Sequence, residues 1–210
     1  MGVEYPASTF VGLDITDVFK ATEMPPPNCS FVQADARQGL PFADNTFDYV
    51  FSRAASLAYQ TNVWPFIINE FVRVLKPGGT VEIFELVMPL HDGGPATTRF
   101  YHEWIRTSLK LRDVDVEAMI PRFEPLLKSS GIENVTHEIG SWPLGWGPSE
   151  EYAQLSRENV ISFMNASKPK LTVVLGVGDD SYDANTAVAE KELQTYKSYV
   201  EAHVFHGKKA

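Results

Sequence analysis

Four short apolar runs within the first 85 residues, three of them followed by a carboxylate, restrict this chain to a narrow set of folds. They are Phe10 to Leu13 before Asp14, Ser30 to Ala34 before Asp35, Phe47 to Phe51, and Thr80 to Phe84 before Glu85. The first, closed by an acid, suits a buried parallel strand with a carboxylate at its C-terminal end, and the other three read as further strands. Between the third and fourth runs, Trp64, Ile67, Ile68, Phe71, Val72 and Leu75 recur at spacings of three and four, which predicts a helix with one apolar stripe. The helix is expected to start near Thr61-Asn62, both good caps, and to stop at Lys76-Pro77-Gly78-Gly79, where proline ends it and glycine permits a reversal. Strand, connection, strand, helix, strand is the rhythm of an α/β fold.

The remaining sequence predicts a mixture of helices and two further strands. Phe100, Trp104 and Leu111 mark one helix, and Val116, Met119, Ile120, Phe123 and Leu127 another. A strand is expected over 133–139, followed by a broken loop from Trp142 to Pro148. Ser149 then caps a helix bearing Tyr152, Leu155, Phe163 and Met164, and Gly176-Val177-Gly178 reads as a loop or helix stop. A last helix over 182–194 precedes a terminal strand over 199–206. The triple proline Pro25-Pro26-Pro27 forbids regular structure and is expected on the surface. No composition shift or repeat divides the chain, so one domain over 1–210 is expected.

Charge and composition narrow the partners. With 18 basic against 27 acidic residues the formal charge is -9, which disfavours phosphate backbones and anionic membranes unless a local basic patch overrides it. The basic residues are scattered, and the Lys208-Lys209 pair is too short to form such a patch. No apolar run approaches the roughly 20 residues of a membrane span, and the N-terminus lacks the marks of a signal peptide. The single cysteine, Cys29, cannot form an internal disulfide, and no Cys and His spacing suits zinc. The expected partner is a small molecule, with no nucleic acid, membrane or metal, and the expected compartment is cytoplasmic, with the nucleus also open.

Three segments in this order carry a family likeness: VGLD from Val11 to Asp14, QADARQGLPFADNTFDYVFSR from Gln33 to Arg53, and VLKPGGTVEIFE from Val74 to Glu85. Together they resemble the class I S-adenosylmethionine-dependent methyltransferases. The C-terminal half is similar, less specifically, to fungal small-molecule methyltransferases and methyltransferase-like regulators. The resemblance implies a Rossmann-like, mostly parallel sheet with an antiparallel C-terminal strand. Residues 1–90 would be the cofactor half and 91–210 the acceptor side. It also implies S-adenosyl-L-methionine as cofactor and roles for six residues. Asp14 would accept from the ribose hydroxyls and Ile15 would pack on adenine. Asp35 would receive the adenine amino group, the Ala36 N–H would reach a ring nitrogen, and Ser52 and Arg53 would lie near the methionine part. Ligands of open α/β sheets sit outside the strands' carboxyl ends, in keeping with one shared crevice.

Structural roles compete with these assignments. Asp14 can cap the segment that follows it, Asp35 can serve as an Asx-turn residue, and Arg53 can pair with a surface acid. His91, His102 and Glu85 follow or end the fourth run as candidate bases, and none is singled out. The family pattern also implies a strand and glycine-rich turn ahead of Val11, where only ten residues stand, reading as the tail of a helix broken at Glu4-Tyr5-Pro6. Without that strand, the first central one, the sheet has a gap of roughly 10 Å between the strands ending at Asp14 and Phe51. Either those strands close up and pair, or another segment or chain fills the slot, or the fold is marginal. Two functional readings stay open: a small-molecule methyltransferase, and a non-catalytic partner or regulator forming homo- or hetero-oligomers through the gap. A nicotinamide-dependent dehydrogenase ranks behind both, because Leu40-Pro41-Phe42 followed by Lys76 to Gly79 is not its signature.

Overall fold

The computed structural model describes residues 1–17 and 25–210. Strand β1 (Phe10–Asp14) lies parallel to β2 (Cys29–Gln33), with Phe10 opposite Cys29 and Asp14 opposite Gln33. Ahead of β1 the chain makes turns, one of them closed by the Tyr5 N–H on the Met1 carbonyl. The Asn28 side-chain amide donates to the carbonyls of Gly2, Tyr5 and Ser8 and ties this segment to β2.

The other four strands form a second sheet in the order β3-β4-β6-β5. In it β3 (Phe47–Arg53) runs parallel to β4 (Leu75–Leu86), while β6 (Tyr199–Lys209) lies antiparallel between β4 and β5 (Ile132–Pro143). β3, β4 and β5 thus share one direction and β6 opposes them, as the resemblance implies. The Lys76 to Gly79 reversal is a bulge in the β3–β4 register, with Phe47 opposite Leu75 and Tyr49 already opposite Thr80. Its two glycines serve different needs. Gly78 has φ +76°, whereas a side chain on Gly79 would meet the carbonyl oxygens of Lys76 and Asp48.

Helix α1 (Trp64–Val74) covers one face of this sheet, burying Trp64, Ile67, Ile68, Phe71 and Val72. Each such side chain contributes about 1.5–3 kcal/mol on removal from water. Its start differs from the expectation. Val63 holds the cap position without a side-chain bond, and Thr61 instead bonds the Asp113 carbonyl and the Asp115 N–H, fastening the loop before α4. A second helical layer opens with α2 (Pro95–Thr98), which passes directly into a π-helical stretch (Arg99–Ile105) and α3 (Arg106–Lys110). α4 (Val116–Ser129), α5 (Glu150–Leu175) and α6 (Asp179–Thr195) follow. Leu111 and Leu155, expected on buried stripes, are 65% and 60% exposed. Trp142 and Pro143 belong to β5, so the loop begins only at Leu144. Gly176 ends α5 in the left-handed conformation. Among the described residues, no helix is long and apolar enough to cross a membrane.

Two features position the candidate site. Among the described residues β1 pairs only with β2 and β3 only with β4, so the sheet stays divided and the closing-up outcome is not the one the fold adopts. The β3 face is also two-sided: Val50 and Ser52 turn inward, while Tyr49 and Phe51 remain 44% and 42% exposed. The Tyr49 hydroxyl donates to Glu82 across the sheet at 2.6 Å. At the far end of α1, the Lys209 ammonium donates to Asn45 Oδ1 (2.9 Å) and to the Val72 (2.8 Å) and Leu75 (2.7 Å) carbonyls. A cation there satisfies carbonyls that the helix leaves unpaired.

Candidate functional site

The slot between β1 and β3 opens into a cleft of about 570 Å³. That volume falls within the range of roughly 300–1,000 Å³ common for small-molecule sites. Val11, Leu13, Asp14 and Ile15 form one wall, and Tyr49 to Ala55 the opposite one. Phe71 and Val74 of α1 contribute apolar lining. All six residues assigned by resemblance, Asp14, Ile15, Asp35, Ala36, Ser52 and Arg53, line this single cleft.

Each carboxylate also has a local job. Asp14 Oδ1 accepts from the Thr16 N–H and the Thr16 hydroxyl, both at 2.8 Å, and the backbone bond in particular holds its pKa below the ordinary carboxylate value. Asp35 stands two residues beyond the end of β2, where it caps the 3-10 turn Ala36–Gln38 by accepting the Arg37 N–H at 3.0 Å. The Arg37 guanidinium grips the same carboxylate at 2.8–3.1 Å and lowers its pKa. Both acids are therefore ionised acceptors at neutral pH, and capping and cofactor binding are not exclusive for Asp14, because Thr16 occupies one oxygen. Ile15, 51% exposed at the rim, offers a flat apolar contact, whereas Ala36 is buried beneath Asp35. Ser52 is buried and Arg53 exposed.

Sequence reasoning missed Tyr59, which lies in the loop between β3 and α1 and lines the cleft. Its phenol pKa is raised by burial first, and then by the negative charges of Asp35, Asp14 and Glu85. Its ring packs edge-on against Trp64 at 5.3 Å. A single aromatic in an irregular loop has no periodicity to reveal it. Arg37 was passed over too, although its position two residues after an acid is the signal of a local clamp.

None of the candidate bases lines the cleft. Glu85 is 1% exposed and accepts the Ala55 and Ser56 N–H groups at 3.0 and 3.1 Å. Burial pushes its pKa up to about 7, against the Ser56 hydroxyl and these N–H groups, which hold it down. His102 Nε2 accepts the Leu90 N–H at 2.7 Å, so its ring proton sits on Nδ1. His91 stacks on Tyr199 with ring centroids 4.7 Å apart.

The arrangement offers anionic acceptors at one end of an apolar-walled cleft. That suits the hydroxyls and ring of a nucleoside. No glycine is among the described cleft-lining residues, so the fit concerns the nucleoside end.

Comparison with known proteins shows what the chain resembles. The family profile described as methyltransferase domain matches residues 3–83. The N-methyltransferase verN of Clonostachys rogersoniana is 23% identical over 201 residues, which span 93% of this chain and 68% of verN. The ubiquinone/menaquinone biosynthesis C-methyltransferase UbiE of Shewanella sediminis is 43% identical over 65 residues, 31% of this chain but only 25% of UbiE. The fold is shared with phosphoethanolamine N-methyltransferase 2 of Haemonchus contortus, solved with phosphomonomethylethanolamine and S-adenosylhomocysteine. The TM-score is 0.54 at 18% identity, covering 95% of this chain and 43% of that one. The domain match over residues 3–83, the likeness to verN along nearly the whole chain and the common fold lead to one statement: the chain is similar to methyltransferases.

Proposed function

We propose that the cleft binds S-adenosylmethionine and that the protein passes its methyl group to a small molecule. The observation that supports this reading is the convergence on one apolar-walled cleft of Asp14, at the end of β1, and Asp35, two residues beyond the end of the adjacent parallel strand β2. Asp14 would hold the ribose through the oxygen that Thr16 leaves open, and Ile15 would lie against adenine. Asp35 and the Ala36 N–H would read the adenine edge, with Arg37 fixing the rotamer of Asp35. Ser52 and Arg53, beyond the nucleoside, would face the amino-acid part. When bound, the cofactor supplies a methyl group on a sulfonium sulfur that an acceptor lone pair can displace. The chain's own residues then contribute alignment, which alone can account for much of the acceleration of such a displacement. Residues 1–90 act as the cofactor side and 91–210 as the acceptor side. An acceptor small enough for such a site is in keeping with the relatives' names.

Calorimetric titration of S-adenosylhomocysteine into the purified protein tests the reading. Micromolar binding is expected, with no heat from NAD. Absence of binding at millimolar ligand would overturn it. Association of two copies along the slot is the second reading, favoured by the exposure of Val11, Tyr49 and Phe51 on its walls. It predicts a dimer on sizing at rising concentration, and a chain that stays monomeric would remove it.

A further inference from the structure

Glu85 has no place among the cleft-lining residues, yet two of its contacts reach the segment that builds the cleft wall. After β3 the chain turns sharply. Ala54 takes φ +51°, a left-handed conformation that a residue with a Cβ rarely adopts, and its N–H donates to the Phe84 carbonyl at 2.8 Å. The next two N–H groups, of Ala55 and Ser56, donate to Oε1 and Oε2 of Glu85 respectively. A turn follows, closed by the Ala58 N–H on the Ala55 carbonyl. Ala54, Ala55, Ala58 and Tyr59 from this stretch all line the cleft.

We propose that Glu85 is a positioning residue whose carboxylate clamps the turn over 54–58 and thereby sets the wall against which the bound nucleoside lies. The inference rests on the proposed cofactor reading for its consequence, although the clamp itself does not. One oxygen serves each N–H group, and the ionised carboxylate accepts both most strongly, because protonation turns one oxygen into an O–H donor and weakens its acceptance. Glutamine could accept one N–H and would turn its own N–H₂ group toward the other. The groups facing Glu85 are Tyr59 from the clamped segment and His203, its partner across the β4–β6 register. His203 is itself committed, with one ring nitrogen 2.9 Å from His137 Nε2 and the other 3.3 Å from Glu201.

Burial raises the pKa of this carboxyl to about 7, so its ionisation falls within an accessible range. The sign follows from linkage. A carboxyl whose folded pKa exceeds its unfolded one favours the protonated fold, and that contribution to stability fades as pH rises through about 7. The ionised form that fits both donors therefore lowers global stability while ordering the wall.

The test compares the wild type with Glu85→Gln and Glu85→Ala, using S-adenosylhomocysteine titrations at pH 6 and pH 8. For the wild type, affinity is expected to be at least threefold tighter at pH 8. Glu85→Gln should lose that difference and Glu85→Ala should bind at least tenfold more weakly at both values, with circular dichroism unchanged. Equal affinities in all three proteins, or the wild-type pH difference persisting in Glu85→Gln, would overturn the proposal. A separate measurement covers a wild type that binds no ligand, an outcome that defeats the cofactor reading instead. Amide hydrogen exchange of residues 54–59 should accelerate at least tenfold in Glu85→Ala while that of α1 stays as in the wild type. Unchanged exchange there would show that Glu85 clamps nothing.

Discussion

Replacing Asp14 with Asn should weaken S-adenosylhomocysteine binding about 100-fold while leaving the thermal midpoint within a few degrees of the wild type. The magnitude follows from two hydrogen bonds to an ionised acceptor, each worth about 1.5–3 kcal/mol, of which the amide keeps only part. A tenfold loss corresponds to about 1.4 kcal/mol. The competing role of Asp14, accepting from Thr16, predicts a different pattern. Asn can still accept the Thr16 N–H, so a residue that only caps would show near-normal affinity and a slightly lower midpoint. Calorimetry and a melting curve on the same preparation separate the two, and wild-type affinity in the Asn variant would remove the ribose role.

Trp64→Ala should cause the largest loss of stability, about 3–5 kcal/mol, comparable with removal of other buried tryptophans. The indole is 1% exposed, meets Phe123 edge-on at 4.7 Å and supports the Tyr59 ring on its other side. One substitution therefore opens a cavity between α1 and α4 and removes the backing of a cleft residue. Against a total stability of about 5–15 kcal/mol for a domain of ordinary size, such a loss leaves little reserve at 37 °C. Urea titration should show a lower midpoint with nearly the same slope. If the folded fraction survives, ligand affinity should fall too, although the substituted position touches no ligand. A midpoint shifted by less than 1 kcal/mol in free energy would mean that the site collapses around the cavity.

The parts of this fold that could be read from the sequence are those enforced by local pattern. Trp64, Ile67, Ile68 and Phe71 needed only helical spacing to be identified as a buried stripe, and all four are buried. The runs at Phe10, Ser30, Phe47 and Thr80 became strands, and Asp14 and Asp35 reached a common cleft because β1 and β2 are parallel neighbours. Features set by distant partners were not legible. Thr61 has the chemistry of a helix cap, but Asp113 and Asp115, more than fifty positions away, claim its hydroxyl. Glu85 reads in the sequence as a candidate base at a strand end, and its partners are backbone groups at Ala55 and Ser56, which no side-chain pattern announces. Leu155 falls at helical spacing with Tyr152 in the sequence yet is exposed on α5, a 26-residue helix that buries only part of its circumference. The likeness to known methyltransferases supplied the roles of the acids. Physical pattern alone supplied their neighbourhood.

The order of strands has a consequence for synthesis. β6, made of positions 199–209, lies between β4 and β5, so β4 can pair with β3 early but the β4–β6–β5 half of the sheet cannot form until those positions have been translated. A nascent chain still threaded through the ribosome would expose β4 edge-on along its whole length, and α1 would lack the ammonium of Lys209 at its end. Sequence-distant pairing of this kind slows folding, and an uncovered apolar edge invites association meanwhile. The β4 edge is therefore expected to stay open until β6 has emerged, with chaperone protection meanwhile.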